Sequence, residues 1–187
     1  MSFRLPLLTE RLVMRELTTA DLGNHERLCG DERVVRYLYD EPMSGAEARA
    51  HLMKRIPAVL PVDGGWMNLA VESDGRYLGE VGVCLSSVVH RQCEVGYVFL
   101  PEVAGHGYAT EATAAMLGIA FDLLGAHRVV ARLDARNRAS ARVAERIGMR
   151  CEGLFRENEF VKGEWTDEEI WAVTEDEWRS ARQSGRR

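Results

Sequence analysis

The segment EVAGHGYATEATAAMLG, residues 102–118, strips its side chains away at the point where a helix should begin. Gly105 and Gly107, with Ala109, let an anionic group approach the backbone without meeting a bulky side chain. The first turn of any helix carries amide N–H groups with no intrahelical acceptor, and the helix dipole adds partial positive charge there. A phosphate cradle is the chemistry this pattern offers. Three other readings compete with it. One is a tight strand-to-helix turn followed by packing alanines. Another is a dinucleotide fingerprint, but Thr110 stands where its third glycine belongs and no βαβ unit precedes it. The last is a nucleotide triphosphate loop, which fails because no GK[ST] follows. His106 is the polar side chain within the loop, where an exposed histidine is the default and a contact to phosphate or ribose the alternative.

The elements that must hold this loop are legible as hydrophobic periods. TERLVMREL (9–17) alternates Leu12, Met14 and Glu16 against Arg11, Val13 and Arg15, a strand pattern. TTADLGNHERLCG (18–30) has a capping residue, an acidic first turn and a terminal Gly30, the marks of a short helix. SGAEARAHLMKRI (44–56) opens on Ser44 with Glu47 three residues on, a capping box. WMNLAVE, YLGEVGVCLS and QCEVGYVFL, joined by short turns, predict an antiparallel meander. A long helix is expected over 110–125, a strand over HRVVARLDA (127–135) and a helix over RASARVAERIG (138–148). MRCEGLFRE and TDEEIWAVTEDEW supply the last strands, and RSARQSGRR (179–187) reads as a frayed tail. The sum is a mixed α/β domain with helices on both faces of one sheet.

A chain of 187 residues, 46% hydrophobic and 28% charged, fits a single domain spanning 1–187 with a full core. Its start, MSFRLPLLTERLVMRE, interrupts every apolar run, so neither a signal peptide nor a membrane span is expected and a cytoplasmic protein is. A net charge of -5 argues against a general nucleic-acid footprint. Cys29, Cys84, Cys93 and Cys151 form no CxxC pair, so neither a disulfide nor a structural zinc is expected, and no metal ligand is assigned.

GYVFLPEVAGHGYATEA resembles the coenzyme-A motif of the GNAT acyltransferase superfamily, Gln/Arg-x-x-Gly-x-Gly/Ala, with Ala104, Gly107 and Ala109 on its fixed positions. NRASARVAERIGM resembles the second signature, an Asn opening a helix that ends in Gly plus an apolar residue. LLTERLVMREL is similar to the opening strand of the branch that acetylates ribosomal-protein N-termini, the RimJ/RimL type of bacteria. The resemblance implies the GNAT fold: a central mixed, mostly antiparallel sheet with a splayed acyl-CoA cleft, in which the strand before the glycine loop carries a bulge. It also implies acetyl-CoA as cosubstrate. Val98, Phe99 and Leu100 would pair with the pantetheine arm, and the amides of Gly105, His106, Gly107, Tyr108, Ala109 and Thr110 would hold the pyrophosphate. Asn137 matches the cofactor-contacting Asn, with an ordinary helix-start residue as the alternative.

For catalysis, the position that carries a Tyr acid in many members is Ala144 here, while Ser140 matches the serine given that role in the ribosomal-protein branch. A base must take the ammonium proton. Glu94 matches the acidic residue of the family's AEIGY pattern, although an Arg on a neighbouring strand would make it structural; Glu159 is the second candidate, with Glu157 and Asp167 behind it. YLYDEPMS (37–44) and FRENEFVKGEWTDEE (155–169), acid-rich and interleaved with aromatics, would build an acceptor pocket suited to a cationic amine. The expected activity is acetyl transfer to a primary amine, of a small molecule or a protein N-terminus, by direct attack in a ternary complex. A sensing module without turnover and transfer of a longer acyl group such as succinyl stay open, as does a homodimer.

Overall fold

A computed structural model describes residues 4–56 and 63–184 of the chain. It contains β1 (Leu7–Leu8), β2 (Val13–Glu16), α1 (Leu22–Gly30), α2 (Glu32–Val35), α3 (Gly45–Arg55), β3 (Trp66–Ser73), β4 (Arg76–Ser87), β5 (Gln92–Phe99), α4 (Tyr108–Gly118), β6 (Arg128–Asp134), α5 (Arg138–Arg146), β7 (Arg150–Val161), β8 (Glu164–Thr174) and α6 (Glu175–Ser184). The strands form one sheet in the order β1-β2-β3-β4-β5-β6-β8-β7.

Alternation selects the face of β2: Leu12 and Met14 are buried, whereas Arg11 is exposed and Val13 and Arg15 are half-buried; Glu16, at the strand end, is exposed although it shares the buried face. In the centre the alternation disappears, because Met67–Val71 of β3 and Tyr77–Leu85 of β4 are buried without a break. A strand buried at every position has both faces covered. Ser44 and Glu47 form the expected capping box at the start of α3, and Thr18 with Asp21 forms another ahead of α1.

Among the described residues every strand pair is antiparallel except one. β5 and β6 run parallel and pair only at Gln92↔Arg128, Cys93↔Val129 and Glu94↔Val130. Beyond Glu94, β5 continues with β4 to Phe99, while β6 continues with β8 to Asp134. The sheet therefore splits at the end where the glycine loop begins. The bulge expected in β5 is absent: its pairing with β4 is continuous from Cys93 to Phe99, and the irregularity lies on β4, between Leu85 and Ser87.

Other departures from the sequence reading are local. The helix expected over 110–125 starts at Tyr108, and after Gly118 it widens into a π turn over Ile119–Leu123. β1 and α2 are additional short elements. TEDEW leaves the last strand for α6, because the amide and hydroxyl of Thr174 both donate to Glu177 Oε2, at 2.9 and 2.8 Å, and start a helix. That helix continues to Ser184 and replaces most of the expected frayed tail. Trp178 fixes it, buried and stacked on Phe121 with ring centroids 4.9 Å apart; burying such a side chain is worth about 1.5–3 kcal/mol.

Candidate active site

The cradle sits beside the split. Gly105 (φ 84°) and Gly107 (φ 80°) both occupy the left-handed region that glycine enters without strain, and Gly107 is the residue from which α4 springs. The Ala104 amide donates to Pro101 O and the Glu111 amide to Gly107 O. Between them, the amides from Gly105 to Thr110 meet no acceptor among the described residues. A Cβ on Gly105 would meet nothing within 4 Å, so the loop is open to a ligand.

Sequence reasoning missed what pins this loop. Arg11 donates through Nη1 to His106 O at 3.0 Å, pairs with Glu111 at 2.7 Å, and lies over the Tyr108 ring at 4.9 Å. Thr9 Oγ1 donates to the same Glu111 at 2.6 Å. His106 lies stacked on Tyr108 with Nδ1 at 3.1 Å from Ala104 O and 3.3 Å from Val103 O. Two carbonyls require Nδ1 to be the donor, so a ring carrying one proton has only a lone pair left at Nε2 and offers a phosphate no N–H.

Along β5 the structure sorts the three residues expected to meet pantetheine. The Leu100 amide already donates to Leu78 O at 2.9 Å. Val98 turns the same way: a Cβ on Gly79 of β4 would fall 2.3 Å from Val98 O. By the alternation of an antiparallel ladder, the backbone groups of Phe99 and Tyr97 face the open side. Tyr97 was not among the residues singled out from sequence.

Asn137 caps α5, its side-chain oxygen accepting from the Ser140 amide at 3.1 Å. The ordinary helix-start role is therefore filled by one end of the side chain, which leaves the NH2 group to donate elsewhere. Ser140 is half-buried, and its carbonyl accepts from the Tyr97 hydroxyl at 2.9 Å. Burial pushes the Tyr97 phenol up to about 12, against the hydrogen bond to Ser140. Ala144 is fully buried in the core, so the position that carries a Tyr elsewhere is a packing site here.

Glu94 has the Arg neighbour that sequence reasoning named as the structural alternative, but the contact is loose. Arg132 Nε lies 3.6 Å from Glu94 Oε2, too far for a hydrogen bond, whereas Arg132 Nη1 donates to Glu168 Oε2 at 3.2 Å. Asn158 also donates to Glu168, at 3.0 Å. Two carboxylates thus share one guanidinium. Burial raises the pKa of Glu94, with Glu168 adding to the rise and Arg132 opposing it. Burial likewise raises Glu168, opposed by Arg132 and reinforced by Glu159. Tyr39 is pushed up by burial and by the nearby Glu159, Glu168 and Glu94.

Glu159, Glu168, Tyr37, Tyr39 and Arg132 line one pocket, so the two acid-rich segments do meet. Five carboxylates on its wall (Asp134, Glu159, Glu164, Asp167, Glu168) face four cations (Arg36, Arg132, Arg136, Lys162). Asp167 serves the backbone instead, its Oδ1 accepting from the Glu157 amide at 2.8 Å where that residue takes a φ of 49° in the β7 bulge, and Glu157 is exposed. Lys162, at the tip of the β7–β8 hairpin, donates to Val35 O at 2.6 Å and ties the hairpin to the end of α2 across this pocket.

The Acetyltransferase (GNAT) domain profile matches residues 11–150. An uncharacterized N-acetyltransferase of Bacillus subtilis, YnaD, is 30% identical over 177 residues, covering 91% of this chain and 97% of the relative. An acetyltransferase of the GNAT family from Bacillus anthracis superposes with a TM-score of 0.82 at 29% identity, over 91% of this chain and 98% of that one. The fold is also that of spermidine N-acetyltransferase from Vibrio cholerae, solved with CoA and spermine: TM-score 0.78 at 22% identity, covering 91% and 99% of the two chains. The chain belongs to the GNAT family of acetyltransferases, whose acyl donor is acetyl-CoA.

Proposed function

We propose that this chain transfers the acetyl group of acetyl-CoA to the primary amine of a cationic acceptor, as an enzyme and not as a sensing module. The observation that carries the reading is the sharing of Arg132 between Glu94 and Glu168, two carboxylates raised by burial and short of one positive charge. An ammonium group supplies that charge.

The residues at the split fit the donor. Free amides from Gly105 to Thr110 would hold its pyrophosphate, where the loop has room and the α4 dipole is favourable. The open backbone edge at Tyr97 and Phe99 would take the pantetheine arm as an added strand, with Val98 and Leu100 holding that edge on β4. The Asn137 NH2 group is a further donor at the start of α5. Acetyl-CoA, when bound, supplies an activated thioester.

On the acceptor side, Glu94 makes no hydrogen bond to Arg132 and keeps its lone pairs for an ammonium proton. Its raised pKa brings its basicity closer to neutrality than that of an ordinary carboxylate. Glu159 and Glu168 line the pocket that Arg132 shares with them, where their negative charge would draw the acceptor's cation in. Ser140, half-buried in the first turn of α5, is the hydroxyl available to relay a proton toward the leaving thiolate. A polyamine, an amino sugar or a basic protein N-terminus of the RimJ/RimL kind meets these requirements.

Calorimetric titration of acetyl-CoA, followed by a free-thiol assay over polyamines, amino sugars and basic N-terminal peptides, tests this. Binding with thiol release for one amine class supports it; binding without release across the panel favours the sensing module.

A further inference from the structure

Away from the cleft, α1 and α3 bring three metal-type ligand atoms together. His25 and Cys29 lie one turn apart on the same face of α1, and His51 comes from α3. His25 Nε2 is 3.0 Å from His51 Nδ1, Cys29 Sγ is 3.4 Å from His25 Nε2, and Cys29 Sγ is 3.8 Å from His51 Nδ1. His25 and Cys29 are buried, and His51 is half-buried.

The chemistry of the fourth partner decides how the set is wired. Glu80, buried in the middle of β4, accepts from the Tyr77 hydroxyl at 2.8 Å and from Arg55 Nε at 3.1 Å, so it is the acceptor for His25 Nδ1 at 2.6 Å. That fixes the tautomer. With Nδ1–H given to Glu80, Nε2 is the atom turned towards His51 and Cys29, and it presents a lone pair whenever the ring carries one proton. Two ring nitrogens 3.0 Å apart share either a hydrogen bond or a cation, and a cation at the centre of the set engages all three atoms at once.

The spacing suits zinc. Tetrahedral bonds of about 2.0–2.1 Å to nitrogen and about 2.3 Å to sulfur separate ligand atoms by roughly 3.3 Å for N···N and roughly 3.6 Å for N···S. The separations of 3.0, 3.4 and 3.8 Å fall within a few tenths of an ångström of those values. A histidine that donates its other nitrogen to a buried carboxylate is the usual outer support of such a ligand. An open pocket lined by Asp40, Met43, Glu47 and Lys54 reaches His51, the side from which a water would complete the coordination.

We propose that His25 Nε2, Cys29 Sγ and His51 Nδ1 bind one Zn2+ ion, which ties α1 to α3. Two imidazoles and a thiolate favour zinc over magnesium or calcium. The expectation of no metal rested on the missing CxxC pairs; an i,i+4 His/Cys pair completed by a distant histidine escapes that search.

The test uses the full chain, stripped with a chelator and titrated with Co2+ alone. The expected result is the intense ligand-field spectrum of a four-coordinate ion with a thiolate charge-transfer band, saturating at one equivalent and bleached by one equivalent of Zn2+. Cys29→Ser should lose the charge-transfer band. His51→Ala should weaken zinc binding by more than the ~10–100-fold that losing an outer partner costs. Zinc should raise the melting temperature of the native chain and not that of either variant. Weak six-coordinate bands or no binding in the native chain would overturn the site. So would a charge-transfer band that survives in Cys29→Ser, since it would then arise at another thiol.

Discussion

The Tyr97 hydroxyl donates to the Ser140 carbonyl at 2.9 Å and joins β5 to α5 beyond the point where β5 and β6 part. Past that point the gap is spanned by a side chain from one lip and a helix start on the other. Asn137 caps the same turn, so the first turn of α5 is fixed twice.

Tyr97→Phe keeps the ring and removes this bridge. The variant should lose about 0.5–1.5 kcal/mol of stability in urea unfolding. The KM for acetyl-CoA should rise several-fold while kcat changes less, because the bridge sets the cleft rather than the chemistry. Steady-state kinetics with varied acetyl-CoA reads this split directly.

Gly107→Glu places a carboxylate where α4 begins and forces a side chain into φ 80°. Acetyl-CoA affinity should fall at least ~100-fold, about 2.7 kcal/mol, by calorimetry. Circular dichroism should still report a folded domain. Unchanged affinity would remove the phosphate assignment from this loop.

Glu94 titrates above the ordinary carboxylate range because burial disfavours its charged form. Its basic form therefore grows in as pH rises through that raised value, and the acidic limb of kcat/KM should lie above where an unperturbed glutamate would put it. Glu94→Gln should abolish that limb and lower the rate by ~10²–10⁴-fold, the usual worth of a positioned base. A pH profile of the native chain and the variant measures both.

Asp21 behaves in the opposite sense. Burial alone would raise it, but two hydrogen bonds from Arg15, at 2.7 and 2.8 Å, and one from the Thr18 amide hold its pKa below the ordinary value. Its stabilising contribution is present above the unfolded-state pKa and is lost as pH falls through the folded one. Asp21→Asn should cost about 1–3 kcal/mol near neutral pH, and the difference from the native chain should shrink in acid. Urea unfolding at both conditions checks the sign.

The fold was legible wherever burial is one-sided or a helix end is marked. Leu12 and Met14 announced β2, and Ser44 with Glu47 announced α3. The same capping signature at Thr174 and Glu177 was readable in TEDEW but follows directly on the apolar run IWAV, which favours a strand, so α6 was missed. The π turn after Gly118 carries no periodic signal of its own. In the site, the glycines of the cradle were visible because they are local. Arg11, about a hundred residues from Glu111, was invisible for the opposite reason. Glu94 and Arg132 lie on neighbouring strands that pair for only three residues, so sequence could name the partner's type but not its length of reach. His25, Cys29 and His51 meet only because α1 packs on α3.

On this reading the shared guanidinium leaves Glu94 and Glu168 one positive charge short, a deficit that favours a cationic acceptor. It is tested most directly by the ratio of kcat/KM for a cationic primary amine to that for an anionic one of matched size, in the native chain and in Glu168→Gln. The native chain should prefer the cationic amine, and Glu168→Gln, which leaves Arg132 to balance Glu94 alone, should cut the preference by ~10-fold, about 1.4 kcal/mol, with acetyl-CoA affinity unchanged. A ratio that does not move, or a native preference for the anionic amine, would contradict it.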